Sequence, residues 1–290
     1  GIGASAGPFF GGILVDTLGW RSILVTTIPI GIIAIAAALA GLKRQSYPTK
    51  EKSKLGRFDW IGASVSSGAL VSLLLGLSNA YRFGWGSVPI VISLVVAGGL
   101  GMFFFWWELH SIHPMLNLTF FKSSSFSIGI MTRFLLFLSN SPRVILMPFY
   151  LIKILGYSPY IAGLIMVAHS VSMAVSGAIS GRLSDRLGTR WLMLVGIALA
   201  VVGMFTFVAL DNQSSPVHVV IGLMLSGIGM GTFYSPNTSD ILGSQSRLSY
   251  GIIAAVLNLT RTTGNIMGIA ISTTVVSGIM TSAGYEPMLA

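Results

Sequence analysis

Cysteine is absent from this chain of 290 residues, and charged side chains are scarce. Without cysteine there are no disulfides, no thiolate chemistry and no metal site with cysteine ligands. Charged residues make up 9% of the chain, whereas a soluble domain has about 25%. Hydrophobic residues make up 53%, and the mean hydropathy is +0.83. Because so few polar side chains cannot cover a water-exposed surface, the composition predicts a polytopic membrane protein.

The net charge of +9 has two explanations. Basic proteins bind nucleic acid, but basic residues also gather on the cytoplasmic side of membrane proteins. The second explanation is favoured, because the basic residues here fall in polar stretches between long apolar runs. We therefore expect the lipid bilayer as a partner of this chain, and no nucleic acid.

Charged residues divide the sequence into apolar runs of roughly the 20 residues that a membrane helix needs. The opening stretch, residues 1–15, is shorter and is interpreted as part of a span. The fold class is predicted to be all-α, with about eight whole transmembrane helices and one partial helix. The whole runs lie at 21–43, 59–82, 82–108, 124–152, 153–182, 190–211, 211–240 and 250–279.

Lysine and arginine are concentrated in alternate loops of this pattern. The longest polar loop holds the most lysine and arginine residues, and the loops on the opposite side hold few basic residues. The positive-inside rule therefore predicts a multi-pass protein of a cell membrane, with the basic loops in the cytoplasm. The predicted cytoplasmic loops are 43–58, 110–123, 182–190 and 241–249.

The opening stretch contains GASAGPFFGG, in which Gly3, Gly7, Pro8, Gly11 and Gly12 have a fixed spacing. Small residues one helical turn apart let two membrane helices approach closely, and a proline bends the helix. The pattern resembles motif C, the antiporter motif in the fifth membrane helix of drug-exporting members of the major facilitator superfamily. The resemblance implies that this helix seals the interface between two helix bundles against leakage.

The segment GRLSDRLGTR resembles motif A of the same superfamily, matching it at Gly181, Asp185, Arg186, Gly188 and Arg190. A tight loop needs the backbone freedom of Gly188. Asp185 can sit at a helix N-terminus or pair with Arg186 or Arg190. The resemblance implies a loop that stabilises one transport state on the cytoplasmic side.

Weaker matches, including DWIG and GYSP, follow in the same order as in the 14-span drug:proton antiporters of the EmrB/QacA type. The resemblance runs from helix five to helix thirteen of that family, which implies a fragment of a longer transporter. It also implies a division of the chain. Residues 1–42 would end the N-terminal bundle, 43–58 and 110–123 would be cytoplasmic linkers, 59–109 the extra central helix pair, and 124–290 the C-terminal bundle.

Ionisable groups at membrane depth are costly and are therefore candidates for the substrate or proton pathway. Arg133, Arg143, His169 and Arg261 meet this criterion. His169 either exchanges protons near neutral pH or is a neutral side chain hydrogen-bonded to a neighbouring helix. Arg143 either reaches a polar cavity or extends to the membrane edge. Arg261 is expected to face the protein interior, in a structural or gating role.

The sequence contains no catalytic grouping, no metal-binding pattern and no phosphate-binding loop. We therefore expect no enzyme and no cofactor, and the resemblance implies transport driven by a proton gradient. Glu108 and Asp240 fall near predicted cytoplasmic helix ends, so the sequence indicates no buried acid. Export of cations is accordingly implied by the resemblance alone.

The resemblance implies a secondary active transporter of a bacterial cell membrane that exports drugs or amphipathic and cationic compounds, with small molecules and protons as partners. Three alternatives stay open. The protein could carry another solute, such as a siderophore, sugar or amino acid, although motif C argues against an importer. It could be a membrane enzyme or receptor-like scaffold, which a cytoplasmic cluster of His and acidic residues would have favoured. It could also be a non-functional truncated product.

Overall fold

The computed structural model describes residues 2–41, 59–111, 114–116, 118–245 and 249–282. Within these ranges all regular secondary structure is helical. The predicted linker 43–58 lies outside the described residues, as does the middle of the predicted loop 241–249.

The described residues form nine α-helices in sequence. A short 3-10 helix, Leu118–Lys122, precedes the fifth helix, and a turn of π-helix, Tyr150–Ile154, extends it. The α-helices are α1 (Ile2–Leu18), α2 (Arg21–Gly41), α3 (Trp60–Phe83), α4 (Val88–His110), α5 (Ser124–Phe149), α6 (Pro159–Leu187), α7 (Thr189–Val208), α8 (Pro216–Gly243) and α9 (Tyr250–Ser282).

Eight helices in the described part of the chain are long and apolar enough to cross a membrane, when the π-helical turn is counted with α5. Helix α1 has 17 residues and is shorter than the others. The prediction of an all-α polytopic protein with eight whole spans and a partial one is therefore confirmed.

Two sharp turns depend on glycine. Gly19, between α1 and α2, has a φ of 78°, and Gly188, between α6 and α7, has a φ of 79°. These left-handed conformations carry no steric cost for glycine, so each pair of helices is joined by a single turn. Ser22 reinforces the first turn by donating its hydroxyl to the Gly19 carbonyl at 2.6 Å.

Contacts divide the chain into two compact units. The first unit contains α1, α2, α6, α7 and most of α8, and the second contains α3, α4, most of α5 and α9. The assignment of segments to two bundles and a central helix pair stays a prediction.

In the first unit, α8 lies between α6 and α7 at very short range. A Cβ atom built on Gly229 would lie 2.7 Å from both the Ala200 Cα and the Gly196 carbonyl oxygen of α7. On the other side of α8, a Cβ on Gly231 would meet Gly177 N of α6 at 2.8 Å. Such close approach of backbones is how membrane helices gain packing energy where lipid supplies no hydrophobic driving force.

In the second unit, α3 and α4 form a hairpin that also contacts α9. Within the hairpin, the Ser93 hydroxyl donates to the Ser72 carbonyl at 2.7 Å. Trp85, in the hairpin turn, donates its indole N–H to the Thr274 hydroxyl of α9 at 2.8 Å. The hairpin is therefore fixed to α9 by at least one specific polar contact.

Candidate functional site

Arg133 lies in the interior of the second unit, with 2% of its surface exposed. Its Nη1 donates to Asn237 Oδ1 at 3.3 Å and to Thr238 Oγ1 at 3.1 Å, and its guanidinium carbon lies 5.6 Å from the centre of the Phe137 ring. The guanidinium thus joins α5 to the end of α8. A solute cannot reach it in this arrangement.

The backbone around this arginine explains how the cluster forms. Pro236 lies within α8 immediately before Asn237, whose amide donates to the Gly129 carbonyl of α5 at 3.1 Å. Gly129 allows the approach, because a Cβ there would lie 2.8 Å from Ile241 Cγ1. Sequence reasoning missed Asn237, although a buried amide beside a helix proline was a usable signal.

A second polar group lies further along α5. Arg143 is half-buried and donates its Nε to Asn140 Oδ1 at 3.1 Å. Ser141, with 1% of its surface exposed, donates to Asn265 Oδ1 of α9 at 3.1 Å. One side chain of this polar group therefore bridges to α9, while Arg143 bonds within its own helix.

His169 lies in the interior of the first unit, between α6 and α8. Its Nδ1 is 3.0 Å from the Ser226 hydroxyl and 3.3 Å from the Leu223 carbonyl. The close approach of Gly227 to the His169 carbonyl brings these groups together. This is the hydrogen bond to a neighbouring helix that the sequence offered as one interpretation. The Leu223 carbonyl can only accept, and the Ser226 hydroxyl donates to that carbonyl at 3.1 Å, so Nδ1 carries the hydrogen that is donated to Ser226. An added proton would therefore go to Nε2 and place a positive charge between α6 and α8.

Arg261 differs from the expectation. It is exposed, and its Nη2 donates to Asn258 Oδ1 on its own helix at 2.9 Å. Arg261 lies on the same side of α9 as Gly264 and Gly268, which pack on α5, but the described residues do not enclose its side chain.

The motif A-like segment forms the turn predicted for it but not the predicted polar contacts. Helix α6 continues to Leu187, so Asp185 lies in its last turn and not at a helix N-terminus. Asp185, Arg186 and Arg190 are all exposed, and none pairs with another in the described part of the chain. Gly188 closes the turn, with its N–H donating to the Ser184 carbonyl at 3.0 Å.

The glycine that begins this segment has a packing role. A Cβ on Gly181 would lie 2.8 Å from the Ser235 hydroxyl oxygen of α8. The close contact between α6 and α8 therefore explains why a glycine stands at this position of the motif.

The five motif C residues all fall within α1. Gly12 faces α6, where a Cβ would lie 2.8 Å from the Pro159 carbonyl oxygen and 3.5 Å from Gly163 Cα. Around Gly7 and Gly11, by contrast, no described residue would come within 4 Å of an added Cβ. Of the three motif C glycines whose surroundings the structure describes, Gly7, Gly11 and Gly12, it is Gly12 that packs directly against another helix.

We expect Gly12→Ala to lower the free energy of unfolding by about 1–2 kcal/mol, because the methyl group meets backbone atoms that can yield only if the helices separate. Gly11→Ala is the matched control and is expected to be neutral. Thermal unfolding of the purified variants measures both. Equal melting temperatures would contradict the proposed α1–α6 contact.

One buried acid contradicts the sequence analysis. Glu108 has 4% of its surface exposed, and its Oε2 accepts the Leu116 N–H at 3.1 Å. Trp107 donates its indole N–H to both carboxylate oxygens of Asp59 at 3.1 Å, next to this site. The inference that Glu108 sits at a tolerant interface was wrong, because the chain after α4 folds back over it.

Metal binding has no support in the described ranges, which contain no group of three or more His, Asp or Glu side chains placed to hold an ion. The polar sites of the two units are thus hydrogen-bonded clusters within apolar helices. Clusters of this kind are typical of membrane transporters.

The family comparison agrees with this class of protein. The family model described as Major Facilitator Superfamily matches residues 129–284, more than half of the chain. The chain therefore belongs to the major facilitator superfamily, whose members are membrane transporters and not enzymes.

Individual relatives match nearly the whole chain at low identity. Multidrug resistance protein Stp of Mycobacterium tuberculosis is 28% identical over 288 residues, covering 99% of this chain and 52% of that protein. Lincomycin resistance protein LmrB of Listeria monocytogenes is 26% identical over 274 residues, covering 94% of this chain and 57% of that protein. Riboflavin transporter RibZ of Clostridioides difficile is 28% identical over 266 residues, covering 90% of this chain and 56% of that protein. The chain spans about half the length of the curated relatives it matches.

Proposed function

We propose that this chain is part of a secondary active transporter that exports drugs or other amphipathic and cationic compounds in exchange for protons. The observation that carries the proposal is the match of almost the entire chain to relatives named for multidrug and lincomycin resistance. The 14-span architecture belongs to the same proposal. In transporters of this kind the two halves rock around a central substrate site.

The orientation of the chain is part of the proposal. Among the described residues, Lys122 and the Arg182, Arg186 and Arg190 group lie at one set of predicted helix ends. The positive-inside rule then supports a cytoplasmic location for 110–123 and 182–190. We extend the same assignment to 43–58 and 241–249 and place the protein in a bacterial cell membrane.

His169 is our candidate for proton exchange. It is the buried histidine of the first unit, and its Nδ1 bonds to Ser226 on a neighbouring helix. A side chain with an ordinary pKa near 6.5 changes charge in the physiological range. Proton uptake would place a positive charge on a ring packed between α6 and α8, and through this charge it would be coupled to helix movement.

The arginines have different proposed roles. Arg133 holds α5 to α8 and has a structural role, while Arg143 and Arg261 retain surface that a solute or counter-ion can approach. The motif A-like loop presents its Asp and Arg side chains outward, which suits a latch toward residues beyond the described ones.

Transport of another solute is the second candidate, and a specific observation favours it. The relative named as a riboflavin transporter is as similar to this chain as the relative named for multidrug resistance, at 28% identity each. A planar heteroaromatic solute is therefore the first alternative substrate class to test.

The test is efflux of ethidium from energised bacteria that lack their own exporters and express the protein at its full natural length. We expect efflux that stops when a protonophore collapses the gradient. His169→Ala is expected to slow efflux at least severalfold. Arg261→Ala is expected to slow efflux while changing stability by less than about 0.5 kcal/mol, because its partner lies on its own helix.

The possible outcomes separate the candidates. Efflux that continues with the protonophore would contradict proton coupling. No efflux of cationic dyes from protein confirmed in the membrane would overturn the cationic-drug proposal, and uptake or efflux of riboflavin would then favour the second candidate.

A further inference from the structure

A pair of carboxyl groups lies where the α3–α4 hairpin meets the chain that follows α4. Asp59 precedes the first residue of α3, and Glu108 lies in the last turn of α4. Between them is Gly62, on which an added Cβ would lie 2.9 Å from the Asp59 carboxyl carbon and 3.1 Å from Glu108 Oε1. The two carboxyl groups therefore face the same small space.

The two acids differ in how well their charge is stabilised. Asp59 accepts the Gly62 N–H at 2.8 Å and the Trp107 indole N–H at 3.1 Å on each oxygen. Glu108 accepts the Leu116 N–H on Oε2, but Oε1 is buried and makes no hydrogen bond within the described residues. The three hydrogen bonds to Asp59 stabilise a negatively charged carboxylate. Glu108 Oε1, in contrast, contacts neither solvent nor a hydrogen-bond donor.

The surroundings of Glu108 supply no compensating positive charge in the described part of the chain. From α3 the ionisable group that faces it is Asp59, and from the following segment it receives the backbone N–H groups of Met115 and Leu116. On α4 itself, His110 is exposed and its ring packs on Trp106. Two adjacent carboxylates without a cation repel each other, and a buried ionised oxygen without a hydrogen-bond partner is strongly disfavoured.

We propose that Asp59 and Glu108 form a proton-binding site in which Glu108 Oε1 carries the proton and Asp59 carries the charge. The proton satisfies the buried oxygen and allows it to act as a donor in the space above Gly62. The pair lies where the start of α3, the end of α4 and the segment 114–116 meet, so this proton removes a charge repulsion between the hairpin's two ends. The site is separate from His169 and does not depend on which solute is transported.

The test is infrared spectroscopy of the purified, full-length protein in lipid at neutral pH. A protonated carboxyl group has a carbonyl stretch that is distinct from those of carboxylates and amides and that shifts in heavy water. We expect this band in the wild-type protein and its loss in Glu108→Gln, which keeps the shape of the protonated acid. Asp59→Asn is expected to retain the band, because Glu108 stays buried.

Asp211→Asn is the matched control. Asp211 lies in the exposed α7–α8 loop, where the Ser214 hydroxyl and the Gln213 N–H hold the pKa of its carboxyl below the usual value. It is ionised at neutral pH, so this variant is expected to leave the band unchanged.

Three results would overturn the proposal. The first is the absence of a protonated-carboxyl band in the wild-type protein, which needs no variant. The second is a band of equal intensity in Glu108→Gln. The third is loss of the band in Asp59→Asn, which would place the proton on Asp59.

Discussion

Replacing Gly229 by leucine is expected to lower the free energy of unfolding by about 3 kcal/mol or more and to reduce the yield of folded protein sharply. The new side chain would enter a contact in which even a Cβ lies 2.7 Å from backbone atoms of Gly196 and Ala200. Because those atoms are main chain, relief requires that α7 and α8 move apart.

The separation would spread through the first unit. Gly203 and Ser226 form the next contact of the same two helices, where a Cβ on Gly203 would lie 2.5 Å from Ser226 N. Ser226 in turn bonds to His169. We therefore expect Gly229→Leu to disturb the candidate proton site as well as stability.

Gly99→Leu is the matched control, since Gly99 is exposed within α4 and no described residue would meet an added Cβ within 4 Å. Both variants are apolar and helical, so they differ only in packing. Thermal unfolding of purified protein and the yield from membranes measure the effect. Similar losses in both variants would contradict the α7–α8 contact.

Replacing Arg133 by methionine is expected to cost about 2–4 kcal/mol of stability, because its guanidinium gives hydrogen bonds to one buried and one half-buried acceptor. Loss of such a bond costs roughly 1–3 kcal/mol. The acceptors are Asn237 Oδ1 and Thr238 Oγ1, at 3.3 Å and 3.1 Å from Nη1. Methionine fills a similar length with a flexible apolar chain, so the change removes hydrogen bonds more than volume.

Arg261→Met provides the comparison at an exposed site. Its guanidinium bonds only to Asn258 on the same helix among the contacts given by the structure, so a change below about 0.5 kcal/mol is expected. The melting temperatures of the two variants, measured under the same conditions, test whether the loss of stability is larger for Arg133→Met. An Arg133 variant as stable as the Arg261 variant would show that the buried cluster does not hold α5 to α8.

Ionisable residues show where sequence reasoning about the site succeeded and where it failed. The scarcity of charge in apolar runs was enough to select Arg133 and His169, and both are buried. The same reasoning expected Arg261 to be enclosed and Glu108 to be at a tolerant interface, and both expectations differ from the structure. Distance from a helix end predicts membrane depth, but it does not say which side of the helix a residue occupies.

The sequence motifs likewise do not predict which of their glycines pack against another helix. The glycines of motif C and of the motif A-like segment were selected by their resemblance to the two family motifs. The structure gives direct packing contacts to Gly12 and Gly181, and open surroundings to Gly7 and Gly11 in the described ranges. Spacing identifies a face that permits close approach. The neighbour that makes the approach comes from another part of the chain.

The sequence by itself determined that this is a helical membrane protein of about eight whole spans, because hydropathy, run length and charge are local properties that a bilayer selects directly. It also determined the superfamily, through motifs whose residues are close together in the chain. Only the tertiary structure paired Asn237 with Arg133, Ser226 with His169 and Glu108 with Asp59. These pairs join residues distant in sequence, and helix packing decides which polar groups meet when water is excluded.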